Sequence, residues 1–203
     1  MAKKKDWVGN KNSVYKAIGA SNHTEEEREE HDYYATEPKA IDVLLNEGGV
    51  TLAKDVWEPA CGEKHLSNRL VDYGYNIRNS DIIDRVKDGS VEVLDFFACN
   101  EKWDGDIVTN PPYKYAIEFV EKALSLVSDG RKVYMFLKLT FLEGQKRKKL
   151  FKKYPPKCVY VSSSRIICAK NGDFENTDGS AVAYAWFEWV KGYSGGTIIK
   201  WIN

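Results

Sequence analysis

The sequence predicts an α/β domain, a mostly parallel sheet with helices on both faces that is closed by a C-terminal antiparallel hairpin. Three observations lead there. Between residues 55 and 139, short apolar runs alternate with amphipathic stretches, the pattern of strands joined by right-handed crossovers. After residue 158, two long alternating runs flank a segment rich in turn residues, the pattern of a hairpin. The chain has 203 residues, 43% of them hydrophobic, which is enough apolar material for one core and little argument for a second.

The elements follow in order. Residues 1–32 are polar and mixed in charge and read as an extension ahead of a catalytic core at 33–203; within them Thr24 and Glu27 have capping-box spacing before a short charged helix. Pro38 stands in the first turn of a helix whose stripe, Ala40, Ile41, Val43, Leu44 and Leu45, ends at Gly48 and Gly49. Strand 55–60, helix 65–74, strand 76–82, a short strand at 91–97, strand 105–110, helix 115–127 and strand 132–139 come next. Segments 158–169 and 181–192 form the antiparallel pair through the turn region 170–180, which makes seven strands, with 196–203 as a further edge segment.

Composition narrows the function classes. Thirty Lys plus Arg balance thirty Asp plus Glu, so any contact with a polyanion must come from local charge. Cys61, Cys99, Cys158 and Cys168 are widely spaced with no C-x-x-C pair, and His23, His31 and His65 are scattered, so no metal site is expected. The cysteines read as reduced thiols of a cytoplasmic protein. The N-terminal "MAKKKDWVGNKNS" lacks the apolar stretch of a signal peptide, and no run approaches a membrane span.

Ligands of open parallel sheets bind beyond the carboxyl ends of the strands, near the point where strand order reverses. Four strand ends here carry suitable groups. The first reads "EPACGEKH": Glu58 precedes a Pro-Ala-Cys-Gly loop that lets backbone amides approach a ligand, then a helix N-terminus. There is no G-x-G-x-x-G, so a dinucleotide is a poor candidate. The second ends at Asp81, about twenty residues past Gly62, an offset suited to ribose hydroxyls, with Asp84 as a rival. The third reaches Asp95, which can accept from a nucleobase amine while Phe96 or Phe97 covers its ring.

The fourth is "DIVTNPPY". An apolar strand runs into an amide side chain at Asn110, a rigid Pro-Pro turn and an aromatic ring at Tyr113. An exocyclic amine is a poor nucleophile because its lone pair is delocalised into the ring. Two acceptors, the Asn110 side-chain oxygen and the Pro111 carbonyl, would orient such a nitrogen and support the positive charge that develops on attack. Prolines fix the loop without competing donors, and Tyr113 offers a flat face for the target ring.

On these residues the sequence resembles the amino-group DNA methyltransferases that use S-adenosylmethionine, and most closely their small phage and prophage adenine-N6 members. "NPPY" at Asn110, Pro111, Pro112 and Tyr113 matches the catalytic motif, "VWEPACGEKHLS" the methionine-binding loop, "YATEP" the segment ahead of it, and "DFF" the cofactor-adenine segment. The wider likeness extends over almost the whole chain. It implies a Rossmann-like methyltransferase fold. It also implies that Thr36, Glu58, Ala60 and Gly62 surround the methionine part of the cofactor, Asp81 its ribose, and Asp95 with Phe96 its adenine. Asn110 and Pro111 would hold the target amine and Tyr113 would stack on an extruded base, with Phe174 as the candidate for its other face.

The chain departs from the pattern twice. Lys64 stands where many relatives have glycine, a cation that either crowds the cofactor or points outward. There is no separate target-recognition domain, so specificity must come from loops. The expected partner is DNA, with the basic run Lys146, Arg147, Lys148, Lys149, Lys152 and Lys153 as phosphate contacts and Lys146, Arg147 and Lys149 foremost. The same chemistry on RNA or on a protein glutamine, and an inactive binding module of the same fold, stay open, as does the oligomeric state, a homodimer included.

Overall fold

A computed structural model describes residues 34–170, 172, 174 and 182–203. The charged segment holding Thr24 and Glu27, with His23 and His31, lies outside them, as does most of the turn region 170–180. Chain order is β1 (Tyr34–Thr36), α1 (Lys39–Asp42) continuing into a wider turn Val43–Glu47, β2 (Asp55–Glu58), α2 (His65–Asp72), β3 (Asn76–Asp81), β4 (Glu92–Val93) and β5 (Asp106–Thr109). Then follow a tight 3₁₀ turn Tyr113–Tyr115, α3 (Ala116–Leu126), β6 (Lys132–Lys138), α4 (Gln145–Lys153), β7 (Cys158–Ser162), β8 (Cys168–Lys170), β9 (Tyr184–Val190) and β10 (Ile198–Ile202).

Eight of these strands form one sheet in the order β10-β7-β9-β6-β5-β2-β3-β4, and all its pairings are parallel except those of β9 with β6 and β7. The antiparallel insertion is the expected hairpin. The sheet has eight strands rather than seven because β9 ends at the edge where β7 begins. The following turn therefore delivers Ile198 beside Lys157, its N–H donating to the Lys157 carbonyl at 3.0 Å, and β10 runs parallel to β7. The segment 158–169 also divides. Its first half stays in the sheet, while Cys168–Lys170 leaves to pair with β1 in a separate two-stranded ribbon.

Strand alternation sorts the core into two layers. Trp57, Ile107, Val133 and Met135 face α3 and Leu150 of α4, whereas Val56, Val108, Tyr134 and Phe136 face α1 and α2. The indole N–H of Trp186 ties α1 down by donating to the Ala40 carbonyl at 2.9 Å, and that of Trp57 donates to Ser80 Oγ at 2.9 Å. At the amino ends of the strands, buried Asp106 accepts from the backbone of Ala53 and Lys132, both at 2.8 Å. The chain goes from β2 outward to β3 and β4, then returns to β5 on the other side of β2. The reversal of strand order therefore lies between β2 and β5. No described helix is long and apolar enough to cross a membrane.

Candidate active site

A cleft of about 430 Å³ opens at the carboxyl ends of β2, β3 and β5, where the topology reverses. Glu58, Ala60, Asp81, Asp95, Phe96, Asn110, Pro111, Pro112 and Tyr113 line it. These nine of the predicted site residues come from four separate chain segments.

The β2 side is acidic and internally satisfied. Asp81 Oδ2 accepts from the Gly62 N–H at 2.9 Å, and its Oδ1 accepts from the Ile83 N–H at 3.1 Å and from Arg85 at 3.3 Å. Gly62 thus acts through Asp81 from behind the wall, and its φ of +53° lets the loop double back there. Glu58 is buried, and Ser67 Oγ hydrogen-bonds both its Oε2 and Asn79 Oδ1. Burial pushes the Glu58 carboxyl up to about 8, with the Ser67 hydrogen bond opposing and the Asp81 charge adding to the rise. With one hydroxyl proton for two oxygens, a protonated Glu58 completes the set. Asp95 caps its own turn, accepting from the Phe97 N–H at 2.9 Å.

Lys64 takes a left-handed conformation, φ +65°, which explains why glycine suits this position. Its ammonium is held by Ser90 and by Asp88 at 3.4 Å, and the residue does not line the cleft. Of the two alternatives for this cation, the structure has it turned away.

The β5 side is built around one amide. Asn110 Nδ2 donates to the Tyr34 carbonyl at 3.1 Å and to Thr36 Oγ1 at 2.7 Å, while its Oδ1 is buried with no partner among the described residues. The Tyr34 carbonyl can only accept, so the amide must present its NH₂ on that side. Thr36 is itself buried and sits behind Asn110 rather than in the cleft wall. The Tyr113 hydroxyl lies 3.6 Å from Cys168 Sγ, and burial raises both the phenol and the thiol above their ordinary ranges. The Tyr113 ring packs 6.0 Å from that of Tyr184, with the Lys138 ammonium 4.9 Å from its centroid.

Several assignments fall elsewhere. Phe96 lines the floor but is core, 5.3 Å from Trp57 and 5.0 Å from Phe119 between ring centroids, whereas half-exposed Phe97 meets Tyr115 edge-to-face at the rim. Phe174 reaches the cleft through His65, whose ring it contacts edge-on at 5.2 Å. Lys146, Arg147 and Lys149 do not line the cleft. Arg147 folds back onto the carbonyls of Glu143 and Thr140 and over Phe141. Lys153 pairs with Glu121 at 3.8 Å, and Lys146 and Lys149 remain exposed. Tyr115, Arg85 and the Tyr34 carbonyl were not anticipated. An aromatic two residues after Tyr113 was the one signal for Tyr115.

No family model and no curated protein matches the chain. Solved structures do. A type I restriction-modification methyltransferase subunit from Streptococcus thermophilus superposes with a TM-score of 0.57 at 11% identity, covering 80% of this chain and 46% of that one. The chain has the methyltransferase fold. A Listeria monocytogenes protein assigned to the class I S-adenosylmethionine-dependent methyltransferases gives 0.53 at 11% identity, covering 72% and 58%. The M protein of the type I restriction enzyme EcoKI gives 0.50 at 12% identity, covering 81% and 45%. The chain thus spans less than two thirds of the length of each.

Proposed function

We propose that this chain is an S-adenosylmethionine-dependent methyltransferase that modifies the exocyclic amine of a base in DNA, adenine N6 by preference. The observation that carries the reading is Asn110, a residue of the cleft lining whose Oδ1 is buried with no partner among the described residues while its NH₂ is engaged. A buried oxygen without a partner costs about 1–3 kcal/mol, and a ligand hydrogen removes that cost. The fold and two of its solved neighbours, described as restriction-modification methyltransferases, support the same class.

The residues present suit the cofactor. Two carboxylates, Asp81 and Asp95, and the protonated carboxyl of Glu58 line the cleft, fitting a ligand with an ammonium, a sulfonium and ribose hydroxyls. Glu58 and Ala60 would hold its methionine end, Asp81 the ribose, and Asp95 with Phe96 and Phe97 the adenine. When bound, the cofactor supplies a methyl group on positively charged sulfur.

The chain's own residues supply orientation. Asn110 Oδ1 and the Pro111 carbonyl would each accept a hydrogen of the target amine, turning its lone pair toward the methyl and stabilising the charge on nitrogen as the N–C bond forms and the C–S bond breaks. The proton released from nitrogen leaves to solvent. Because the amine is unreachable inside a duplex, the base must be unpaired or extruded, with Tyr113 beside it. Lys138, whose ammonium lies 4.9 Å from the Tyr113 ring centroid, adds a cation beside the loop, which supports an anionic acceptor such as nucleic acid over a glutamine amide.

Transfer of labelled methyl from S-adenosylmethionine to duplex DNA, structured RNA and a protein lysate tests this. Label recovered as N6-methyladenine from DNA is the expected result; label in RNA or protein alone would replace the acceptor, and no label in any would overturn the reading.

A further inference from the structure

The ribbon β1–β8 stands apart from the main sheet, yet it supplies partners to both ends of the Asn110–Tyr113 loop. Thr36 and Cys168 are directly opposed across it. Thr36 Oγ1 accepts from Asn110 Nδ2 at 2.7 Å and lies 4.0 Å from Cys168 Sγ, which in turn lies 3.6 Å from the Tyr113 hydroxyl. Two residues earlier in the same strand, the Tyr34 carbonyl takes the second amide proton at 3.1 Å. Thr36 is 3% exposed and absent from the cleft lining, so its hydroxyl has no free path to a ligand.

We propose that Thr36 is a positioning residue, acting through Asn110: its hydroxyl accepts the second amide hydrogen and, with the accept-only Tyr34 carbonyl, holds Oδ1 rather than the NH₂ toward the target amine. The inference rests on the methyltransferase reading above and replaces the contact with the cofactor that resemblance suggested for Thr36. An amide rotated by half a turn would present two donors to an amine whose hydrogens need acceptors, and the loop would oppose the reaction instead of promoting it. The Tyr34 carbonyl, which can only accept, sets the orientation; the Thr36 hydroxyl accepts the other amide hydrogen and holds the side chain there. Cys168, held neutral by burial, fills the space between the Thr36 and Tyr113 hydroxyls and keeps the two ends of the loop in register.

The test compares Thr36→Val, which keeps shape and removes the acceptor, with Thr36→Ser, which keeps the acceptor. The readouts are kcat on an oligonucleotide, calorimetric affinity for S-adenosylmethionine, and hydrogen exchange of the ¹⁵N-labelled Asn110 side-chain amide. Expected for Thr36→Val are a loss of kcat of roughly 10–100-fold, cofactor affinity within about threefold of wild type, and loss of amide protection; Thr36→Ser restores all three toward wild type. Unchanged kcat in Thr36→Val overturns the proposal. So does weakened cofactor binding with kcat preserved at saturation, or an equal loss in Thr36→Ser. Should Thr36→Val fail to fold, Thr36→Ala carries the same comparison. Should the wild type methylate nothing, the functional reading fails on its own, and amide exchange still decides: protection lost in Thr36→Val upholds the orientation, protection retained overturns it.

Discussion

The two walls of the cleft treat their polar atoms in opposite ways. On the β2 side the carboxyl groups already have partners: three donors for Asp81, a backbone N–H for Asp95, and Ser67 for the protonated Glu58. On the β5 side, Asn110 Oδ1 has none among the described residues. A satisfied carboxylate keeps a loop in shape whether or not a ligand is present, and its spare lone pairs serve the ligand as an addition. An unsatisfied buried oxygen destabilises the free protein and is of use only when something arrives. On the proposed reading, the contrast separates a wall that binds from a wall that acts.

The most severe way to break this contrast is Asn110→Ala. It should lower methyl transfer by roughly 10²–10³-fold or more while cofactor affinity, measured by calorimetry, stays within about threefold; full activity would remove Asn110 from the chemistry. Glu58→Gln acts on the other wall and on stability. A carboxyl raised from 4.5 to about 8 in the folded protein favours folding below pH 4.5, and that contribution is lost as pH rises through the interval to 8. Wild type should therefore lose about 1.4 kcal/mol per pH unit relative to Glu58→Gln between pH 5 and 8, read from denaturant midpoints; parallel curves would refute the protonated carboxyl.

Smaller effects test the surroundings. Replacing exposed Lys146 and Lys149 with alanine should weaken binding to DNA by only a few-fold, since neither lines the cleft, and should reduce the slope of log affinity against log salt by about two; an unchanged slope would take α4 out of the interface. Lys64→Gly should shift stability by no more than ~1 kcal/mol, because relief of the left-handed backbone offsets the lost link to Asp88 and Ser90. Cofactor affinity should stay unchanged in that variant, and a gain of tenfold would mean that Lys64 obstructs the cleft after all.

Much of this was legible in the chain. Alternation of apolar strands with amphipathic helices gave the sheet, because strands of four to seven residues such as β2, β3, β5 and β6 carry a readable pattern. Residues at strand ends, such as Glu58, Asp81 and Asn110, were legible for the same reason: topology places strand ends together without regard to sequence distance. The ribbon was not. "YAT" and "CAK" are too short to show a period, and each becomes a strand only because the other is present. Thr36 was accordingly assigned to the cofactor, a role drawn from resemblance to a linear motif that carries no record of the partner across the ribbon. The basic run shows a different limit. Charge counting treats its members alike, whereas geometry turns Arg147 back upon Glu143 and Thr140 and leaves Lys146 and Lys149 outward.

Pairing of Tyr34–Thr36 with Cys168–Lys170 joins segments more than 130 residues apart in the chain. During synthesis, β2 through β7 can emerge and begin to collapse while β1 still has no strand to lie against. On the proposed reading, the Asn110 amide should reach its fixed orientation only once Cys168 has left the ribosome, so chains truncated before β8, even with all of NPPY, should lack methyl transfer.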